Sequence, residues 1–174
     1  METSHDPTTH MEVRTDAEAR RKVHALINKA KFAMMATYDI AGNAHSRPMV
    51  AVAHEGDELW FFTRAESRKV DELKRDPRVL LDYADGSSQT YISLVGRARL
   101  TTSTEQAKAL WVEPLRTWFP EGSEDPQIAL IEVKVESAEY WDAPSSTMVH
   151  AYGYVRARIT GRPPELGDIA HVQM

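Results

Sequence analysis

The tripeptide Ser67-Arg68-Lys69 combines residue types that suit a phosphate group. It follows an apolar run, Glu58 to Thr63, that predicts a strand, and it lies where a predicted helix begins. Unpaired backbone N–H groups at a helix start attract an anion. A hydroxyl, a guanidinium and an ammonium add donors suited to phosphate oxygens. The pattern therefore predicts a site for a phosphate-bearing ligand.

The helix that would carry this site is marked at both ends. Thr63 and Glu66 form a Thr-x-x-Glu capping-box pattern at its start. Asp76-Pro77 ends it, because the residue before a proline is biased away from helix. Val70 and Leu73 have the spacing of its buried side. We expect a helix over about residues 66–75.

Arg47 is a second cationic candidate, in the predicted apolar strand Ser46 to His54. A buried arginine needs an anionic partner, and a ligand phosphate or an internal carboxylate would both serve. Arg68 and Lys69 taken alone could be solvated charges on an exposed helix. Together with Arg47, Thr63 and Ser67 they favour a phosphate site.

Composition limits the classes of function. The chain has 174 residues, a net charge of −5 and no cysteine. The acidic balance argues against a general nucleic-acid binder, and the lack of cysteine excludes disulfides and thiolate metal sites. The histidines lack metal-ligand spacing, so we expect no metal site. No apolar run would span a membrane, so we expect a cytoplasmic protein with no membrane partner.

The elements around the site predict a mainly β (α+β) fold. We expect a flexible tail over residues 1–13 and one domain over 14–174. Short spacings between strands suit an antiparallel meander, and strands apolar on both faces suit a barrel or a sheet covered by a second subunit. Gly96 marks a bulge or bend. The six predicted strands are Phe32–Tyr38, Ser46–His54, Glu58–Thr63, Arg78–Tyr83, Thr90–Leu100 and Ile128–Trp141.

Helical spacing is found in three further places. Residues 16–29 follow a capping-box pattern, and residues 102–112 follow another. After Pro144, apolar residues from Met148 to Ile159 share a helical face that ends at Gly161. The remaining tail to Met174 is expected to be loop.

Five short motifs follow one another along the chain: Ser46 to Val50, Phe62-Thr63, Ser67-Arg68-Lys69, Asp76 to Val79 and Glu139 to Asp142. In this order they resemble pyridoxamine 5′-phosphate oxidase. The general stress protein 26 branch of that superfamily is more similar, through Trp118-Phe119-Pro120, the segment 138–146 and Thr160 to Pro164. The resemblance implies an FMN-binding six-stranded antiparallel split β-barrel with flanking helices, and a homodimer with flavin sites at the subunit interface.

The resemblance implies a set of cofactor-binding residues. Arg47, Arg68 and Lys69 match phosphate ligands, and the backbone from Pro48 to Val50 matches a segment along the flavin ring. Tyr91 stands where the oxidase has a flavin-contacting glutamine, and Trp141 matches a tryptophan near the flavin. The full set is Arg47, Pro48, Met49, Val50, Phe62, Thr63, Ser67, Arg68, Lys69, Tyr91 and Trp141.

Two departures concern the substrate. Val52 stands where the oxidase has a substrate lysine, and the oxidase's late Arg-Leu-His-Asp-Arg segment is absent after Trp141. A phosphorylated pyridoxamine would lose its cationic partners there, which is costly for a buried phosphate. Flavin binding is therefore expected, and vitamin B6 oxidation is not.

These observations leave three hypotheses. The first is a dimeric FMN protein that acts as an oxidoreductase, with a nicotinamide as possible electron donor; no residue stands out as a general acid or base. The second is a flavin-binding stress or sensor protein without turnover. The third keeps the barrel with FAD, deazaflavin F420 or haem in place of FMN.

Overall fold

A computed structural model describes residues 12–14, 17–142 and 168–174. Within these ranges the chain forms one nine-stranded sheet with three α-helices, α1 (Ala17–Lys29), α2 (Arg68–Arg75) and α3 (Thr104–Ala109). None of these helices is long and apolar enough to cross a bilayer. The strands are β1 (Glu12–Arg14), β2 (Ala33–Tyr38), β3 (Ala44–Met49), β4 (Ala53–Glu55), β5 (Glu58–Arg64), β6 (Arg78–Asp85), β7 (Thr90–Thr101), β8 (Ile128–Asp142) and β9 (Asp168–Gln173).

The longest strand, β8, is where the sheet forks. Strands β3, β2, β6, β7 and β8 lie side by side and are antiparallel. The first part of β8 then pairs with β5, and its last six residues pair with β9. Strand β4 extends the β5 branch, and β1 extends the β9 branch in parallel. This mostly antiparallel, forked sheet confirms the split-barrel class.

All six predicted strands are present, with two differences. The predicted strand Ser46–His54 is two strands, β3 and β4, separated by residues 50–52. The prediction of loop at the C-terminus is wrong, because Asp168–Gln173 is β9. Ala170 and Val172 are fully buried there, and their contacts on β8 rather than any local propensity account for the strand.

Two other predictions concern segments at or beyond the ends of the described ranges. Strand β1 begins at Glu12, inside the segment expected to be a flexible tail. The helix predicted from Met148 to Ile159 lies outside the described residues.

The core fills the inner face of the sheet, on which α1 packs. Ala19, Val23 and Ile27 are spaced four residues apart, so they form one buried stripe along α1. The largest side chains beneath this stripe come from alternate positions of the strands, as expected for a sheet with one face covered. They include Met35, Leu59, Phe61, Leu81, Leu94, Ile131 and Tyr140.

A second apolar cluster lies on the other side of β5. Phe62 packs there with the aromatic rings of Trp111 and Phe119, at centroid distances of 5.9 and 6.2 Å. Trp60 also packs against this cluster. Two short 3₁₀ helices, Glu113–Thr117 and Gly122–Glu124, lie in the segment between α3 and β8.

Gly96 lies at a β-bulge, as its position in β7 predicts. The pairing of β7 with β8 shifts between Val95 and Gly96. A Cβ atom at Gly96 would lie 2.5 Å from the backbone carbonyl oxygen of Lys134, which cannot move aside as a flexible side chain would. The close approach of the two strands therefore requires glycine.

We expect Gly96→Ala to lower the free energy of unfolding by about 1–3 kcal/mol, because the added methyl group overlaps the neighbouring backbone. Urea denaturation measures this change. Gly86→Ala is the matched control, since a Cβ at Gly86 meets nothing within 4 Å. Equal stability of the two variants would contradict this account of the bulge.

A chain of hydrogen bonds joins α1 to the β4–β5 hairpin. His24 Nδ1 lies 2.7 Å from His54 Nε2, and His54 Nδ1 lies 3.1 Å from Asn28 Oδ1. His24 Nε2 lies 3.4 Å from Asp57 Oδ1, and the other oxygen of Asp57 accepts a bond from Arg20. Burial, and then the neighbouring His24, lower the pKa of His54 below 6.5.

The His54 contact predicts a stability that falls in acid. The unfolded chain protonates His54 near pH 6.5, whereas the folded chain does so only at lower pH. As the pH falls below about 6.5 the unfolded state therefore binds more protons and gains stability relative to the folded state. We expect the urea midpoint to decrease from pH 7.5 to pH 5.5, and His54→Gln to reduce that decrease. An unchanged pH dependence in His54→Gln would contradict the expectation.

Candidate functional site

The predicted phosphate residues come together where β5 passes into α2. Thr63 is the last buried residue of β5, and its hydroxyl accepts a hydrogen bond of 2.9 Å from Lys69 Nζ. Ser67 Oγ lies 3.3 Å from Thr63 Oγ1. The passage from strand to helix thus brings two hydroxyl groups and one ammonium group into contact.

The predicted capping box is wrong. The helix begins at Arg68 with Ser67 as its N-cap, and Thr63 lies within the strand. Thr63 uses its hydroxyl to bind Lys69, so it is not free to cap the helix. The side chain of Ser67 makes no capping hydrogen bond either. Both hydroxyls therefore belong to the site rather than to the helix end.

Arg47 reaches the same place from the inner face of β3. Its Nη1 donates hydrogen bonds to the hydroxyl of Thr37 and to the backbone oxygen of Met35. Its Nη2 donates to Glu72 Oε2 at 3.3 Å, and the Thr37 hydroxyl donates to the same oxygen. The sequence left two possible anionic partners for Arg47, a ligand phosphate and an internal carboxylate. The structure shows the internal carboxylate, that of Glu72.

Glu72 was missed by the sequence reasoning. Its side chain is only 2% exposed, and its second oxygen, Oε1, lies 3.2 Å from Arg68 Nε without hydrogen-bond geometry. His45 Nε2 is 4.0 Å from Oε1. The sequence does contain a pattern that indicates Glu72. Lys69, Glu72 and Leu73 have i, i+3 and i+4 spacing, so they share one helical face.

Positive charge exceeds negative charge in this cluster. Arg47, Arg68 and Lys69 are three cations, and within the described part of the chain Glu72 is the one carboxylate in ion-pair contact with two of them. Burial, and then the charge of Arg47, lower the pKa of Lys69, while Glu72 opposes the shift. Burial also lowers the pKa of Arg47. The cluster thus has a formal charge of +2, with Arg47 and Lys69 partly buried and Arg68 exposed, and an anion would be stabilised there.

The remaining predicted residues lie elsewhere in the chain. Pro48 and Val50 face outward from the sheet, on the side opposite Arg47. Tyr91 and Trp141 also face outward and are direct cross-strand partners on β7 and β8. Val50 and Tyr91 are about half exposed. Met49 points inward and packs at the edge of the core.

A single chain does not gather the whole predicted set. Arg47 on β3 is in register with Met35, Leu81 and Leu94 on successive strands. Three strand spacings separate β3 from β7, which is about 14 Å. Phe62 is also apart, since its ring lies in the aromatic cluster behind β5. The structure brings together Arg47, Thr63, Ser67, Arg68 and Lys69, and places Tyr91 and Trp141 at a distance from them.

No set of three or more potential ligands for a metal ion converges within the described ranges. The side chains of the cationic cluster, two arginines, a lysine and two hydroxyls, are suited to binding an anion.

A family model described as pyridoxamine 5′-phosphate oxidase like matches residues 18–165. The chain belongs to this family. The match includes every residue of the cationic cluster and the strands from β2 to β8. The family resemblance predicted from the motifs around Arg47 and Ser67 is thereby confirmed.

The proteins to which this chain is similar include stress proteins. General stress protein 26 of Bacillus subtilis is 29% identical over 135 residues, covering 76% of this chain and 94% of that protein. The solved structure of the general stress FMN/FAD binding protein of Xanthomonas citri is 25% identical, with a TM-score of 0.66, and covers 75% of this chain and 93% of that one. General stress protein 26 of Bacillus anthracis has the same fold, with a TM-score of 0.63 at 22% identity over 71% and 93% of the two chains.

Proposed function

We propose that this protein binds FMN without a covalent bond, with the phosphate at the start of α2, and that it is a flavin-dependent oxidoreductase. The observation that carries the proposal is the unbalanced cluster of Arg47, Arg68 and Lys69 around one carboxylate. A phosphate monoester has a charge of about −1.5 to −2 at neutral pH, which matches the excess of +2. The FMN/FAD binding protein of Xanthomonas citri supports a flavin as the ligand.

The rest of the FMN site would require a second copy of the chain. The outer face of the β3-β2-β6-β7-β8 sheet exposes several apolar side chains, which a partner subunit would cover. We propose that the flavin ring lies between Pro48–Val50 of one subunit and Tyr91 and Trp141 of the other. The separation of these residues within one chain supports that arrangement. The exposed or half-exposed apolar residues of this outer face are Met34, Pro48, Val50, Leu80, Tyr91 and Val95.

The flavin would supply the redox chemistry, and the chain would bind and orient it. Vitamin B6 phosphate is a poor candidate for the substrate, because Val52 stands at the position of the oxidase's lysine and packs against the aromatic cluster. No cation takes its place at that position. A nicotinamide is the electron donor that we propose, and steady-state reduction of the bound flavin by NADH or NADPH tests it. A bound flavin that neither nucleotide reduces would favour a binding or sensor protein.

The wild-type protein should bind FMN with quenching of flavin fluorescence, and should bind riboflavin much more weakly because riboflavin lacks the phosphate. Fluorescence titration gives both dissociation constants. Lys69→Met should weaken FMN binding about tenfold or more, since it removes a charge-assisted contact with the phosphate. The same change should leave the thermal stability of the ligand-free protein equal or higher, because a half-buried cation beside Arg47 is removed.

Lys74→Met is the matched control, because Lys74 is exposed on α2 and pairs with Asp71. It should leave both dissociation constants unchanged. Failure of the ligand-free wild-type protein to bind FMN, together with no flavin in the protein as purified, would refute the proposed function.

Val95→Glu should separate the subunits and weaken FMN binding, because it places a charge in the middle of the outer face while leaving the cationic cluster intact. Light scattering after size-exclusion chromatography gives the mass, and titration gives the affinity. Val112→Glu is the control, since Val112 is equally exposed but lies beside α3. A wild-type protein that is monomeric with FMN bound would contradict the two-chain site.

A further inference from the structure

Glu72 has the wrong charge for a residue of an anion site. Its side chain is buried, and it lies among the side chains proposed to bind phosphate. A carboxylate there repels a phosphate, and its own burial is costly unless cations surround it. The position of Glu72 therefore needs an explanation beyond phosphate binding.

The two oxygens of Glu72 hold two different arginines. Oε2 accepts hydrogen bonds from Arg47 Nη2 and from the Thr37 hydroxyl, which itself accepts a bond from Arg47. Oε1 lies 3.2 Å from Nε of the exposed Arg68, an ion pair without hydrogen-bond geometry. The carboxylate thus stands between a guanidinium on β3, to which it is hydrogen-bonded, and a guanidinium on α2, which it attracts by charge.

Arg47 retains donors for a ligand in this arrangement. A guanidinium has five N–H groups, and the contacts of Arg47 with Met35, Thr37 and Glu72 use three of them. Two N–H groups remain, so Glu72 and a phosphate can bind Arg47 at the same time. Glu72 need not leave when a ligand arrives.

We propose that Glu72 is the internal counter-anion of the phosphate site. It positions Arg47 and Arg68 while the site is empty, and it lowers the charge of the cluster from +3 to +2, which suits a doubly charged phosphate monoester. The proposal rests on the proposed function, since it assumes that the cluster binds a phosphate. Glu72 is a positioning residue that acts through the two arginines.

This role gives Glu72 opposite effects on stability and on affinity. The carboxylate stabilises the empty protein, because without it Arg47 would be a buried cation with no anionic partner. The same negative charge weakens the attraction of the cluster for an anion. If Glu72 only supported the fold, loss of its charge would lower stability without increasing the affinity for the anion. If it only aligned the ligand, loss of its charge would weaken binding.

The test compares wild-type protein with Glu72→Gln, which keeps the shape and removes the charge. We expect the ligand-free variant to melt at a lower temperature and to bind FMN with a Kd about tenfold lower, because one repulsive charge near the phosphate is gone. The Kd for riboflavin should not change, since riboflavin has no phosphate. Glu113→Gln is the matched control: it makes the same charge change in an exposed pair with Arg116 and should alter none of these values.

Inorganic phosphate provides a second measurement that does not depend on flavin. Phosphate should raise the melting temperature of Glu72→Gln more than that of the wild type, at constant ionic strength set with chloride. If the variant does not fold in chloride, the proposal predicts that it refolds from urea in phosphate, where the anion replaces the missing carboxylate. Failure to refold in either salt would overturn the proposal.

The outcomes separate this inference from the proposed function. A Glu72→Gln protein that binds FMN equally or more weakly than the wild type, or that gains no more stability from phosphate, overturns the role of Glu72 alone. A wild-type protein that binds no FMN overturns the proposed function, and the phosphate comparison still decides the role of Glu72.

Discussion

The buried contact between Arg47 and Glu72 is the interaction on which the site depends. It joins an inner position of β3 to the middle of α2, and Thr37 of β2 closes the hydrogen-bonded triangle. Removing Glu72 would leave Arg47 without this anionic partner, and removing Arg47 would leave the buried carboxylate with only the exposed Arg68, which costs several kcal/mol. The contact therefore holds α2 against the sheet, and with it the helix start that carries Arg68 and Lys69.

The forked sheet distributes the chemistry over two faces. The inner face carries the core and the cationic cluster, and the outer face carries Tyr91, Trp141 and a group of exposed apolar side chains. Strand β8 contributes to both faces, because successive side chains along a strand point to opposite sides of the sheet. In the proposed function, a phosphate is bound by the inner cluster of one subunit and a flavin ring by the outer face of another.

The sequence predicted the strands and the position of the phosphate residues well, because both leave short-range patterns. Apolar runs bounded by turn residues mark the strands, and Ser67-Arg68-Lys69 is contiguous. It predicted the chain ends less well. Strand β9 depends on burial of Ala170 and Val172 against β8, and no local pattern required that pairing. The capping box failed because the Thr63 hydroxyl binds Lys69, a competing local bond that the pattern does not show.

The sequence by itself determined the family, the fold class and the cations of the site, since these follow from residue types in a fixed order. Only the tertiary structure decided which anion partners Arg47. Glu72 is separated from Arg47 by 25 residues, and Thr37 by 10, so their meeting depends on how α2 packs on β2 and β3. The separation of Tyr91 and Trp141 from Arg47 has the same origin. Strand order places β7 three strands away from β3, and a linear pattern of residues contains no information about strand order.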